Sequence, residues 1–215
     1  MVYNQFTKEL QQAFMHPLPG KPAQDILKPY LKIYKSMDTP QLPNAREGAV
    51  MSLIYPINNI PHILFIERPV YEGVHSGQIA FPGGKIEKTD ASTLAAALRE
   101  TKEEIGVNKE QIEVIGSLSK VYVLASNFLV YPFVGVLQEK PIIIPDKIEV
   151  ANTLEVPIYT FFEQGIIKEK KMKSAMGITL NAPYYDIAGK ILWGATAMMV
   201  SELCAVIKNQ GIKLY

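Results

Sequence analysis

Apolar residues recur at four-residue spacing through residues 3–15, where Phe6, Leu10 and Phe14 share a helical face, and Pro17, Pro19, Gly20 and Pro22 then break the pattern. A second helical stretch is expected between Asp25 and Lys35, with Leu27, Tyr30, Leu31 and Tyr34 on one side and Pro29 as the place for a kink or restart. Pro40 and Pro43 mark a linker. Residues 1–45 therefore read as an N-terminal helical extension packed on a core domain of residues 46–215. That domain opens with an apolar run from Gly48 to Tyr55, a turn signal at Asn58-Asn59 and a second apolar run from His62 to Arg68, together a hairpin. Residues 69–84 are rich in glycine and proline, and Leu94 to Ile105 is a helix, with Asp90 expected as its N-cap and Gly106 as the left-handed residue after its end. Further strands are predicted at 112–118, 128–137 and 153–157, and a closing helix at 195–209. Strands, one helix, more strands and a final helix predict an α/β protein with a mixed sheet and helices on its faces.

Composition narrows what such a fold does. The 215 residues are 48% hydrophobic and 20% charged, which excludes a wholly disordered chain, and 22 Lys+Arg against 21 Asp+Glu give a formal charge of +1. No bulk charge favours nucleic acid or an anionic membrane, so any charged ligand must be held locally. Cys204 is the one cysteine, which excludes an internal disulfide, and it cannot assemble a zinc set with His16, His62 and His75. There is no run of ~18 apolar residues and no apolar signal core at the start of the chain, so membrane insertion and secretion are not expected and the cytoplasm is the simplest location.

The candidate chemistry lies on the helix after residue 93. Glu100, Glu103 and Glu104, spaced i, i+3, i+4, fall within an arc of about 100°. Leu94, Leu98, Thr101 and Ile105 form the neighbouring stripe by which the helix can be buried. Like charges at this spacing oppose one another by roughly 0.2–0.5 kcal/mol per pair, and a bound hard cation such as Mg²⁺ or Mn²⁺ reverses that cost. Three glutamates alone are ordinarily a solvated face. The upstream run Phe81-Pro82-Gly83-Gly84-Lys85 changes that reading, because adjacent glycines let the backbone approach a ligand closely and the helix start offers unpaired N–H groups. Arg99 is expected to orient a carboxylate through its fork of donors.

These residues resemble the Nudix box, G-x5-E-x7-R-E-U-x-E-E-x-G-U with U apolar. Gly84, Arg99, Glu100, Glu103, Glu104, Gly106 and Val107 match it; Asp90 stands for the first Glu, Thr101 for an apolar residue, and one extra residue separates Asp90 from Arg99. The resemblance implies an α/β/α sandwich with a mixed central sheet and a hydrolase cleaving pyrophosphate bonds in nucleoside diphosphate derivatives. It implies Glu100, Glu103 and Glu104 as catalytic metal ligands for Mg²⁺ or Mn²⁺, with Arg99 beside them, and adds the Gly84 backbone and Glu149 as further metal contacts. A small-molecule nucleotide is then the partner. A homodimer is the other partner considered, and the N-terminal extension, which places no reactive groups at a meaningful spacing, is expected to be structural.

A second resemblance is to the coenzyme A pyrophosphatase branch, whose signature L-L-T-x-R-[S/A]-x3-R-x3-G-x3-F-P-G-G is matched by Leu64, Arg68, Gly77, Phe81, Pro82, Gly83 and Gly84. It implies Arg68, Gly77, Phe81, Gly83 and Gly84 as substrate-binding residues, and hydrolysis of coenzyme A or an acyl derivative. Gly73 stands where the branch has Arg, which keeps two alternatives open: a hydrolase of another nucleoside diphosphate derivative, such as ADP-ribose or a dinucleotide, and a non-catalytic binding module. For His75 a structural role is expected, and for Trp193 packing at the start of the last helix.

Overall fold

The computed structural model describes residues 3–31, 43–70, 76–173 and 177–214. Gly73, His75 and Tyr34 lie outside them. Strands β1 (Arg46–Ile57) and β2 (Ile60–Glu67) form the expected hairpin, with Ile57 opposite Ile60. Asn58 and Asn59 both take positive φ, at 51° and 63°, the backbone that a two-residue hairpin turn requires and asparagine tolerates.

β1 is the centre of an eight-stranded mixed sheet. One of its edges pairs antiparallel with β2 and, nearer its start, with β4 (Gly83–Lys85); its other edge pairs parallel with β7 (Phe128–Val136) from Arg46 to Ile54. β3 (Ile79–Ala80) and β8 (Asn152–Pro157) join β2, while β5 (Glu113–Ser117) and β6 (Val121–Val123) join β7. Alternation along β1 sorts its side chains between two cores. Ala49, Met51, Leu53 and Tyr55 pack with helix α3 (Thr93–Ile105) on one face. Ile54 packs on the other with helices α1 (Tyr3–Ala13) and α4 (Gly194–Asn209). The result is the expected sandwich.

Three differences from the sequence reading have local causes. Of the helix predicted at 25–35, residues 32–35 lie outside the described residues; before them stand a short α2 (Lys21–Gln24) and one 3₁₀ turn (Asp25–Leu27) in place of a helix, after which Lys28 is extended, as a residue before proline prefers, and Tyr30 bridges Asn181. Ser92, not Asp90, caps α3, its hydroxyl accepting from the Ala95 N–H at 3.1 Å; Gly106 ends that helix at φ 75° as expected. A second sheet of β9 (Ile167–Lys173), β10 (Thr179–Ile187) and β11 (Lys190–Trp193) was not foreseen. Trp193 is half-buried at the junction of β11 and α4.

The N-terminal segment is tied into the α4 face. Tyr3, Phe6, Leu10 and Ala13 are buried there, and the Tyr3 hydroxyl donates to the Ile54 carbonyl at 2.9 Å. Glu202 of α4, fully buried, accepts from the Gly20 N–H, the Gln24 amide and both the N–H and hydroxyl of Ser119. Among the described residues no helix is long and apolar enough to cross a membrane.

Candidate active site

The site forms where α3 crosses the start of β1 and the short strand β4. Two adjacent glycines allow the crossing. At Gly83, with φ 151°, a Cβ would fall 2.4 Å from the Ala49 carbonyl oxygen, so only glycine lets β4 lie this close to β1. At Gly84 a Cβ would fall 2.5 Å from the carboxyl carbon of Glu100: that carboxylate occupies the volume a side chain would fill.

Glu104 is the most enclosed acid of the site. Its side chain is 1% exposed, accepts the Gly83 N–H at 2.8 Å, and stands 3.6 Å from the Arg68 guanidinium. Burial pushes its carboxyl up to about 7; Arg68 and the Gly83 N–H pull the other way, and Glu100 and Glu149 reinforce the rise. Burial also raises Glu100, partly offset by Arg99. Glu100, Glu104 and Glu149 each offer a carboxylate oxygen within 4.8 Å of the others. Arg68 beside Glu104 and Arg99 beside Glu100 compensate the cluster only in part, and three acids held together, all hard oxygen donors, fit a divalent cation of the Mg²⁺ or Mn²⁺ kind.

Glu149 enters this group through a turn held by Asp146. The loop after β7 is pinned to the end of α3 by the Ile144 N–H on the Ile105 carbonyl and the Asp146 N–H on the Glu104 carbonyl, each 2.9 Å. The Asp146 carboxylate then accepts the N–H groups of Ile148 and Glu149 at 2.8 and 3.0 Å. An aspartate two and three residues before the donors is a turn signal legible in the sequence, but its docking on α3 is not.

Arg99 organises the opposite side. Its Nε and Nη2 both reach Asp90 at 3.0 Å, its Nη1 reaches Glu100 at 3.0 Å and Glu103 at 2.7 Å, and Nη2 also donates to the Lys85 carbonyl at 3.1 Å. These five bonds use all five N–H groups of a guanidinium. Arg99 therefore orients carboxylates and has no donor left for a ligand. Asp90, held below the usual carboxylate range by Arg99, serves as the anchor of this fork instead of capping the helix. Glu103 stays exposed on Arg99 and lies outside the three-acid group.

A cleft of about 350 Å³ opens over the acids, lined among others by Arg68, Gly83, Gly84, Lys85, Glu100, Glu104 and Glu149. Arg68 donates to the Gly83 carbonyl at 3.1 Å. Two residues expected to bind substrate are placed elsewhere. Phe81 is 1% exposed and stacks on Phe65 with ring centroids 5.0 Å apart, a core residue. Gly77, at φ 63°, closes a loop by donating to the Pro69 carbonyl and does not line the cleft. Thr101, at an apolar position of the motif, is buried with its hydroxyl donating to the Ala97 carbonyl one turn back, at 2.7 Å.

Comparison with known proteins places this arrangement in a family. The sequence pattern of the NUDIX domain matches residues 47–158, from the start of β1 through β8. The Nudix hydrolase NudL of Citrobacter koseri is 32% identical over 169 residues, covering 76% of this chain and 84% of its own length. NudL of Salmonella paratyphi B is 30% identical over 171 residues with the same coverage. Among solved structures, RenU, a Nudix hydrolase from M. smegmatis, superposes with a TM-score of 0.52 over 80% of this chain and 89% of that one, at 15% identity, a likeness of fold. The glutamate helix and glycine turn lie inside the matched segment, and the chain belongs to the Nudix hydrolases, enzymes that cleave pyrophosphate bonds.

Proposed function

We propose that this enzyme hydrolyses the pyrophosphate bond of coenzyme A or an acyl-coenzyme A, releasing 4′-phosphopantetheine species and adenosine 3′,5′-bisphosphate. The grouping of Glu100, Glu104 and Glu149 at the cleft beneath Arg68 carries the reading of the chemistry; the Arg68-to-Gly84 signature carries the substrate. Glu100, Glu104 and Glu149 would hold Mg²⁺ or Mn²⁺, with Glu103 adjoining through Arg99 and the Gly84 backbone beside Glu100. Bound there, such a cation screens the charge of the diphosphate and acidifies water for attack on phosphorus. The chain's own residues do the rest. Arg68 and Lys85 line the cleft as cations for phosphate oxygens, Arg99 keeps Glu100 turned toward the site, and the glycine turn lets a diphosphate approach the backbone.

A second reading, hydrolysis of ADP-ribose or a dinucleotide, is favoured by Gly73, which removes a cation from a signature suited to a substrate with an additional 3′-phosphate. Product chromatography separates the two. The purified protein is incubated with Mg²⁺ or Mn²⁺ and, separately, coenzyme A, dephospho-coenzyme A, ADP-ribose and a diadenosine polyphosphate. Fastest release of adenosine 3′,5′-bisphosphate from coenzyme A supports the first reading; faster turnover of another substrate overturns it. Glu104→Gln, which removes charge at nearly constant volume, should lose most turnover and also the thermal stabilisation that Mn²⁺ gives the unaltered protein. Full activity in that variant refutes the metal assignment.

A further inference from the structure

Two of the three grouped acids have carboxylates fixed by bonds of their own. Glu104 accepts the Gly83 N–H at 2.8 Å and faces Arg68, and Glu100 is held by Arg99 at 3.0 Å. The Glu149 side chain is exposed, and among the described residues no hydrogen bond or ion pair holds its carboxylate. Its place in the group therefore depends on where its backbone stands. That backbone belongs to a short span fixed at both ends. The Asp146 N–H bonds the Glu104 carbonyl and the Val150 N–H bonds the Asp146 carbonyl, each at 2.9 Å, and the Val150 side chain is buried in the same core as Ile105 and Val107.

Between those ends Lys147, Ile148 and Glu149 are all exposed, and the Asp146 side chain is what ties them down. One of its carboxylate oxygens accepts the N–H groups of both Ile148 and Glu149, at 2.8 and 3.0 Å. N–H groups two and three residues on, meeting the side chain of the first residue, are the bonding of a helix N-cap, here spent on a single turn. The same residue thus bonds both acids: its N–H takes the backbone of Glu104, and its carboxylate takes the backbone of Glu149. We infer that Asp146 is a positioning residue of the metal site, one that sets the loop acid Glu149 against the helix acid Glu104. The inference rests on the reading of Glu100, Glu104 and Glu149 as metal ligands and deepens it. Asp146 does not itself line the cleft and acts through Glu149.

The test is a titration of the full chain with Mn²⁺ alone, free metal being followed by electron paramagnetic resonance. It compares the unaltered protein with Asp146→Ala, Asp146→Asn, Glu149→Gln and the double variant of Asp146→Ala with Glu149→Gln. No nucleotide is present, so the identity of the substrate does not enter. Asp146→Ala should weaken Mn²⁺ binding about three- to tenfold, as expected when loss of a cap lowers the population of the turn that presents a ligand. Asp146→Asn keeps an acceptor oxygen in the same place and should bind Mn²⁺ within about twofold of the unaltered protein. In the Glu149→Gln background, Asp146→Ala should cost less than about twofold more, because its effect runs through Glu149. A metal-free thermal melt checks folding; should Asp146→Ala not fold, Asp146→Glu, which keeps the charge one methylene too far out, takes its place with the same expected loss. Undiminished binding in Asp146→Ala overturns the inference, as do losses that multiply in the double variant. Asp146→Asn binding as weakly as Asp146→Ala overturns it too, by showing that the charge matters and not the turn. Undiminished binding in Glu149→Gln, with a loss in Glu104→Gln, removes the residue through which Asp146 is held to act and overturns the inference alone. Undiminished binding in both is instead the failure of the metal reading, and the inference falls with it.

Discussion

Gly84→Ala isolates the geometry of the site from its chemistry, because it alters no charged group. The added Cβ would stand 2.5 Å from the Glu100 carboxyl carbon and 2.5–2.6 Å from its two oxygens. Ordinary carbon–carbon contact is about 3.5 Å or more, so the carboxyl must retreat by about 1 Å. The obstacle is the end of a side chain, so the fold should tolerate the change, with Tm altered by a few degrees at most. The carboxyl itself is not free to go far, since Arg99 holds it at 3.0 Å and Arg99 is in turn fixed on Asp90. A displacement of about 1 Å in a reacting constellation costs on the order of 10²-fold in rate. Steady-state kinetics at saturating Mn²⁺, paired with a thermal melt, should therefore show kcat down by about 100-fold in a well-folded protein. Gly83→Ala provides the contrast: its Cβ would meet the Ala49 carbonyl oxygen at 2.4 Å and the Val50 Cα at 2.6 Å, backbone atoms that cannot step aside, and it should lose stability outright. A Gly84→Ala protein with kcat within twofold of the original would refute the claim that the position of Glu100 is set by the missing side chain.

Three other perturbations probe different parts of the structure. Arg99→Lys cannot reproduce five donors in a planar fork and should lower kcat about 10- to 100-fold at limiting Mn²⁺, the range seen when partners of metal ligands are removed; an unchanged metal dependence would show that the fork is dispensable. The Ser52 hydroxyl is buried in β1 without a hydrogen-bond partner, so Ser52→Ala should raise the urea midpoint, by up to about 1 kcal/mol of stability, whereas a loss of that size would reveal a bridging buried water. Every hydrogen-bonding group facing the Glu202 carboxylate is a donor, so Glu202→Gln turns an N–H₂ toward other donors and should destabilise by about 1–3 kcal/mol, measured by chemical denaturation; an unchanged midpoint would mean the N-terminal segment is not held there.

The elements that were legible in the sequence are those whose burial imposes a period. β1, β2, β5, β7, β8, α1, α3 and α4 each carry an apolar face into one of the two cores, and their observed limits lie within two residues of the expected ones. The elements that were not legible owe their conformation to partners. β4 is Gly-Gly-Lys and exists because β1 offers it an edge. β9 reads Ile-Lys-Glu-Lys-Lys-Met-Lys and is almost wholly exposed, so no alternation marks it; it pairs with β10, whose Pro183 further obscures the pattern.

The same distinction explains the site. The i, i+3, i+4 spacing of Glu100, Glu103 and Glu104 places three acids on one helical face, but a helix alone cannot say which of them a neighbour will neutralise. The answer comes from residues outside that spacing. Asp90 draws Arg99 across the helix, and Arg99 takes Glu103 with it into solvent. The Gly83 N–H and Arg68 draw Glu104 inward, and the turn at Asp146 supplies Glu149 as the third acid of the group. Spacing along a chain fixes which groups can meet. Which ones do meet is decided by the donors and charges that other elements bring, and here those arrive from loops whose anchoring, the Asp146 N–H on the Glu104 carbonyl above all, is a tertiary contact that no local pattern encodes.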